Sequence, residues 1–216
     1  MTIADGWPTA PPTGAAAHAD DGAVPPALHP LLAARWSPTT FDPSYQVTLA
    51  EVELILEAAR WAPSAGNSQP WAFITGRRSD PIHVRLARNL TGSSAAWAPS
   101  ASLLVANLCH RYVEDTDWEY SEFALYDLGQ AVAHMTLQAQ ALGLHARQFR
   151  AFNRTALTAE FAVPQHWEIA TMSAFGRLPA DLANIPESVA TEPRPPRRRR
   201  SAREIRWVVG DGTSRD

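Results

Sequence analysis

The chain has 216 residues, 45% of them hydrophobic, which is enough for one well-buried domain and too little for two large ones. A formal net charge of -3 argues against a general nucleic-acid binder, whose surface is normally basic enough to displace counterions from phosphates. The single cysteine, Cys109, excludes a disulfide framework or a thiolate metal site within the chain and points to a reducing compartment.

No stretch approaches the roughly 20 apolar residues of a membrane span. Asp5, Asp20 and Asp21 also stand where a secretory signal needs a basic segment and an apolar core. The expectation is a cytoplasmic protein with no membrane partner. All 19 Lys+Arg positions are arginine, so Schiff-base lysine chemistry is excluded.

In chain order, residues 1–27 are rich in Pro, Ala, Gly and Asp and read as a disordered leader, because they hold too little apolar surface to offset ordering entropy. The folded domain is expected over residues 28–180. Thr48 and Glu51 form a capping-box pattern, and Val52, Ile55, Leu56 and Ala59 follow at helical spacing, predicting a helix over residues 49–61 that Pro63 stops. Residues 71–75 read as a strand entered through Pro70. Ile82, Leu86 and Leu90 suggest a second helix, and residues 102–108 form an apolar run of strand length, implying burial on both faces.

The longest periodic segment, residues 121–142, places Leu128, Val132, Met135, Ala139 and Leu142 on one stripe, closed by Gly143. Asn153 caps a short helix to Phe161, and residues 168–175 form another strand. Helices and strands mix without strict alternation, so the class is α+β around one sheet. From residue 181 the chain is again Pro-rich, and an arginine run at 197–200 lies within a C-terminal extension over residues 181–216.

Three constellations carry chemistry. Residues 62–71 read Ala-Pro-Ser-Ala-Gly-Asn-Ser-Gln-Pro-Trp. Their amides offer both donor and acceptor to a mixed heterocycle edge, while Pro63 and Pro70 pre-set the backbone; on these residues alone, a loop satisfying its own backbone explains them as well. Ahead of the first predicted helix, Arg35-Trp36-Ser37-Pro38-Thr39 joins a guanidinium fork to hydroxyls, a donor set matched to a phosphate monoester. The arginine run has three readings: a solvated tail, a patch for an anion or nucleic acid, or a segment that returns to a cofactor phosphate.

Together and in this order, these segments resemble the nitroreductase family, which carries an Arg-x-Ser-x-Arg-x-Phe stretch, then a helix ending in Ala-x-x-Ala-Pro-Ser-x-x-Asn-x-Gln-Pro-Trp, then an Asp-opened central helix. Residues 35–41, 58–71 and 127–144 supply these three, and residues 175–179 resemble the family's Gly-Tyr-Pro close. The resemblance implies a mostly antiparallel sheet flanked by helices, and an intertwined homodimer with FMN held noncovalently at its interface. Arg35, Trp36, Ser37 and Thr39 are implied at the phosphate, and Pro63, Ser64, Asn67 and Gln69 near the ribityl chain and ring. A turn containing Gln148 and Phe149 is implied across the flavin, with Arg198 and Arg200 as C-terminal phosphate ligands.

The implied activity moves hydride from NADH or NADPH through FMN to a small acceptor such as a nitroaromatic or quinone. Two departures stand out: Thr39 occupies a position where many members have a second cation, and the lysine usual near flavin N1 is replaced by an arginine such as Arg147 or by backbone donors. They leave a flavin-storing protein without turnover as the alternative. His134 and the aromatic residues Trp118, Tyr120 and Phe123 read as packing residues, and no ligand spacing for metal and no nucleophile elbow is present.

Overall fold

A computed structural model describes residues 28–180 and 199–207, which fall into two separate units. The first begins with α1, Pro30–Ala34, and α2, Leu49–Arg60. Both halves of the capping box form at α2: Thr48 Oγ1 accepts from the Glu51 N–H at 3.2 Å, and Glu51 Oε2 accepts from the Thr48 N–H at 2.8 Å. β1 (Trp71–Arg77), α3 (Pro81–Ala87), α4 (Ser94–Trp97) and β2 (Leu103–His110) follow. α5 (Ala124–Ala141), β3 (His145–Phe149), α6 (Arg154–Glu160) and β4 (Trp167–Gly176) complete this unit.

The four strands form one sheet in the order β1-β2-β4-β3, and every pairing is antiparallel. Strand alternation sends Leu103, Val105 and Cys109 of β2 into a core shared with Val52, Ile55 and Ala59 of α2 and Leu128, Val132 and Met135 of α5. Leu104, Ala106 and Leu108 enter the opposite core with Leu86 of α3, Leu157 of α6 and Met172. Helices therefore cover both faces of the sheet, which is why β2 is buried and mainly apolar along nearly its whole length, with Asn107 its one buried polar side chain.

Close approach needs Gly76, where a Cβ would lie 2.5 Å from the His83 backbone nitrogen, so α3 can lie tightly over β1. At the end of α5, Gly143 adopts φ 72°, and the bonds from Leu144 N to Ala139 O (2.8 Å) and from Gly143 N to Gln140 O (3.1 Å) complete a Schellman closure.

The structure departs from the sequence expectations at β3. Residues 148 and 149 belong to a strand, whereas sequence places them in a turn. The run His-Ala-Arg-Gln-Phe has no apolar alternation to reveal it, and as an edge strand beside β4 it tolerates the charge that hides it. α3 ends at Ala87, so Leu90 lies beyond it, where it bridges Phe152. α1 and α4 are too short to show a period. Within residues 199–207 a one-turn helix, Ala202–Ile205, is capped by Ser201 and Glu204. The leader and Arg198 lie outside the described residues.

Candidate functional site

The turn after α1 is built on β3. The Trp36 side chain is buried and meets the His145 ring edge-on, with centroids 5.9 Å apart. Arg35 Nη1 donates to Ser37 Oγ at 3.2 Å, and Arg147 Nη1 donates to the Ser37 carbonyl at 2.6 Å. Thr39 is exposed just beyond. Two guanidinium groups thus converge on Ser37, giving local positive charge on a chain whose net charge is negative. The second cation beside Ser37 is Arg147 of β3.

The loop between α2 and β1 is held differently. A 3-10 turn, Ala65–Asn67, carries φ values of 59° at Gly66 and 56° at Asn67, and Gln69 follows at 48°. Left-handed backbone at two side-chain-bearing residues costs about 1 kcal/mol or more each, and such strain clusters at functional sites. Ser64 Oγ accepts from the Gln69 N–H at 3.0 Å, and Gln69 Nε2 donates to Asn67 Oδ1 at 3.2 Å. Pro63, Asn67 and Gln69 are exposed. Underneath, the buried Asp127 carboxylate in the first turn of α5 accepts from the Ala65 N–H at 3.0 Å, pinning the loop to the helix N-terminus, where negative charge is favoured. The Ser68 hydroxyl is buried and finds no hydrogen-bond partner, a state that native structures rarely leave without a bound group.

Between the turn and α5 lies an open, mainly apolar cavity of about 500 Å³, within the usual range for small-molecule sites. Arg35, Thr136, Gln148 and Thr171 are its polar lining, and Leu128 and Val132 are among its apolar walls. Thr136 donates to the Val132 carbonyl at 2.8 Å and accepts from Gln148 Nε2 at 2.5 Å, so a hydroxyl on the buried face of α5 orients the amide. Behind Thr171, the buried Asn107 donates to the Thr171 and Ser173 hydroxyls at 3.0 and 2.9 Å.

Of the residues picked out by sequence, the cavity brings together Arg35 and Gln148, with Ser37 bonded to Arg35 beside it. Ser64, Asn67 and Gln69 gather on the loop and do not line this cavity. Phe149 alternates away from Gln148 to pack edge-on against Trp97 at 5.1 Å, in the layer across the sheet. Arg200 donates to the Glu204 carbonyl of its own short helix.

Thr136 and Thr171 escaped sequence reasoning, although a threonine inside the buried stripe of α5 was visible as an anomaly, and sequence marks Asp127 only as the opening of the central helix, not as the anchor of the loop. Trp118 and Phe123 are exposed and Tyr120 stacks on His110 at 3.9 Å, so this segment is not core as sequence suggested. Burial, then the neighbouring His166, holds His110 below the usual histidine range. Burial pushes the Cys109 thiol up to about 11, which leaves it unreactive. Among the described residues no group of three or more His, Cys, Asp or Glu is placed to hold a metal, and no helix is long and apolar enough to cross a membrane.

The chain is an α+β scaffold that carries an Arg/Ser turn, an amide-rich strained loop and, beside the turn and the central helix, a mainly apolar cavity, an arrangement able to hold an anionic, hydrogen-bonding small molecule. Residues 32–96 match the profile of the nitroreductase family. Over 59 residues the chain is 36% identical to the oxygen-insensitive NAD(P)H nitroreductase of Salmonella typhimurium, a match covering 27% of each chain, so the aligned part spans about a quarter of that relative. A crystal structure of an oxidoreductase containing FMN superposes with a TM-score of 0.70 at 26% identity, covering 83% of this chain and 90% of the other. A protein assigned as a nitroreductase from Desulfovibrio desulfuricans, solved in complex with FMN, superposes with a TM-score of 0.64 at 25% identity, covering 84% and 98%. These matches support assigning the chain to the nitroreductase family.

Proposed function

We propose that this protein is an FMN-dependent oxidoreductase that takes reducing equivalents from NADH or NADPH and passes them to a small acceptor such as a nitroaromatic or quinone. The observation that carries the reading is the cavity that gathers Arg35, Thr136, Gln148 and Thr171 beside α5. The residues suit the cofactor: a guanidinium and a hydroxyl at Arg35 and Ser37 match a phosphate monoester, and exposed amides at Asn67 and Gln69 match a mixed donor and acceptor ring edge. Ser68 has a buried hydroxyl still to satisfy. When bound, the flavin supplies the two-electron chemistry. The chain's own part is to orient that group, exclude water with Leu128 and Val132, and fix the Gln148 amide through Thr136. No acid or base side chain is required of it.

A homodimer is part of the reading. Leu49, Leu54 and Trp61 of the α2 region and Leu125 and Tyr126 of α5 are exposed apolar side chains, a face suited to a second copy. On the sequence resemblance alone, residues 28–180 are the FMN-binding domain, and Arg198 and Arg200 of the C-terminal extension add cations at the phosphate.

The test is an absorption spectrum of protein prepared with excess FMN and desalted, followed by anaerobic addition of NADH and then NADPH. Retained flavin bands that bleach are the expected result. Bands that persist with both donors would favour flavin storage, and no retained flavin would overturn the reading.

A further inference from the structure

Arg147 has two neighbours that sequence reasoning did not connect. Its Nη1 donates to the Ser37 carbonyl, 110 positions away in sequence, at 2.6 Å. Its guanidinium carbon lies 5.4 Å from the centre of the Trp97 ring, which is itself packed edge-on against Phe149. Strand alternation explains the reach. Arg147 pairs with Ala174, whose side chain belongs to the core facing α3 and α6, while the adjacent Gln148 lines the cavity on the α5 side. From the edge strand, the arginine stem runs over an aromatic layer and brings a fixed fork to the turn that carries Arg35 and Ser37.

We infer that Arg147 is the positioning residue of the phosphate site: it holds the Ser37 carbonyl so that the Ser37 hydroxyl and the Arg35 guanidinium face the bound phosphate together. The inference rests on the FMN reading above and adds a residue and a task to it. A hydrogen bond from a cation to a carbonyl is among the stronger kinds, and Trp97 pre-organises the donor before any ligand arrives. One strand thereby couples two parts of the site, since consecutive residues of β3 fix the turn on one side and offer an amide to the cavity on the other. It also gives the arginine that sequence offered as a stand-in for the lysine near flavin N1 a different task, since its Nη1 is engaged by the Ser37 carbonyl.

The experiment compares FMN with riboflavin, which lacks the phosphate, by fluorescence titration of the full-length apoprotein and of Arg147→Met and Arg147→Lys. Methionine keeps an apolar stem over Trp97 and removes the donor; lysine restores a donor with poorer geometry. Wild type is expected to prefer FMN. Arg147→Met should weaken FMN about tenfold, as expected for the loss of one charge-assisted hydrogen bond, and leave riboflavin within about twofold. Arg147→Lys should recover part of the loss.

Equal weakening of both flavins in Arg147→Met would show a general structural role and overturn the inference, and so would no change in either. Riboflavin binding confirms that each variant is folded; should the methionine variant fail to fold, the lysine variant carries the same comparison of ratios. Wild type that binds neither flavin would instead overturn the FMN reading itself.

Discussion

The turn at residues 35–37 and the loop at residues 64–69 solve the same problem, holding hydrogen-bonding groups out toward a ligand, by opposite means. The turn keeps its donors in place from outside, with a buried tryptophan against His145 and an arginine from β3 on the Ser37 carbonyl. The loop is bent from within by left-handed backbone at Gly66, Asn67 and Gln69 and tied down by a single buried carboxylate, Asp127. A site braced by packing tolerates local substitution but depends on distant partners. A site braced by its own strain depends on each backbone position and on its one anchor.

Removing that anchor should give the largest effect. Asp127→Ala leaves the Ala65 N–H without its acceptor and empties a buried position, so a loss of about 2 kcal/mol in unfolding free energy is expected by denaturant titration. FMN and riboflavin should weaken together if, as proposed, the loop serves the ring and ribityl chain. Phosphate-selective weakening would contradict the division between loop and turn.

Gln69→Gly sharpens the comparison with a smaller change of opposite sign. Relief of φ 48° is expected to offset the flexibility of glycine and leave stability unchanged or raise it by up to about 1 kcal/mol. Flavin affinity should fall because the carboxamide is gone. If stability drops clearly, the conformation of this residue is not strained and the contrast with the turn fails.

The smallest expected effect serves as a control outside both segments. His83 is buried on α3 with Nε2 3.2 Å from the Ala101 carbonyl, and burial lowers its pKa below the ordinary 6.5. Its folded pKa lies below its unfolded one, so the neutral ring's contribution is present above pH 6.5 and is lost as the pH falls toward the lower folded value. Thermal melts should therefore show stability declining below pH 6.5, with a shallower decline in His83→Gln. The decline should not change the FMN to riboflavin affinity ratio.

Much of this molecule was legible before its structure. α2, α5, β2 and β4 announced themselves because each carries a strong period or an apolar run that only one kind of element can bury. The density of amides and hydroxyls at residues 64–69 was equally plain, since those groups are neighbours in the chain. β3 was not, because an edge strand bearing His145, Arg147 and Gln148 has no apolar pattern to display.

The same locality marks the limit for the site. Sequence by itself determined the class of fold, the resemblance to the nitroreductase family and the two segments that offer donors. Only the tertiary structure decided that Asp127 anchors Ala65, that Thr136 orients Gln148 and that Arg147 reaches Ser37. The physical reason is that helix period and turn chemistry act between residues a few positions apart. A carboxylate, a hydroxyl or a guanidinium instead acquires its role from whichever backbone the sheet and central helix bring within hydrogen-bonding distance.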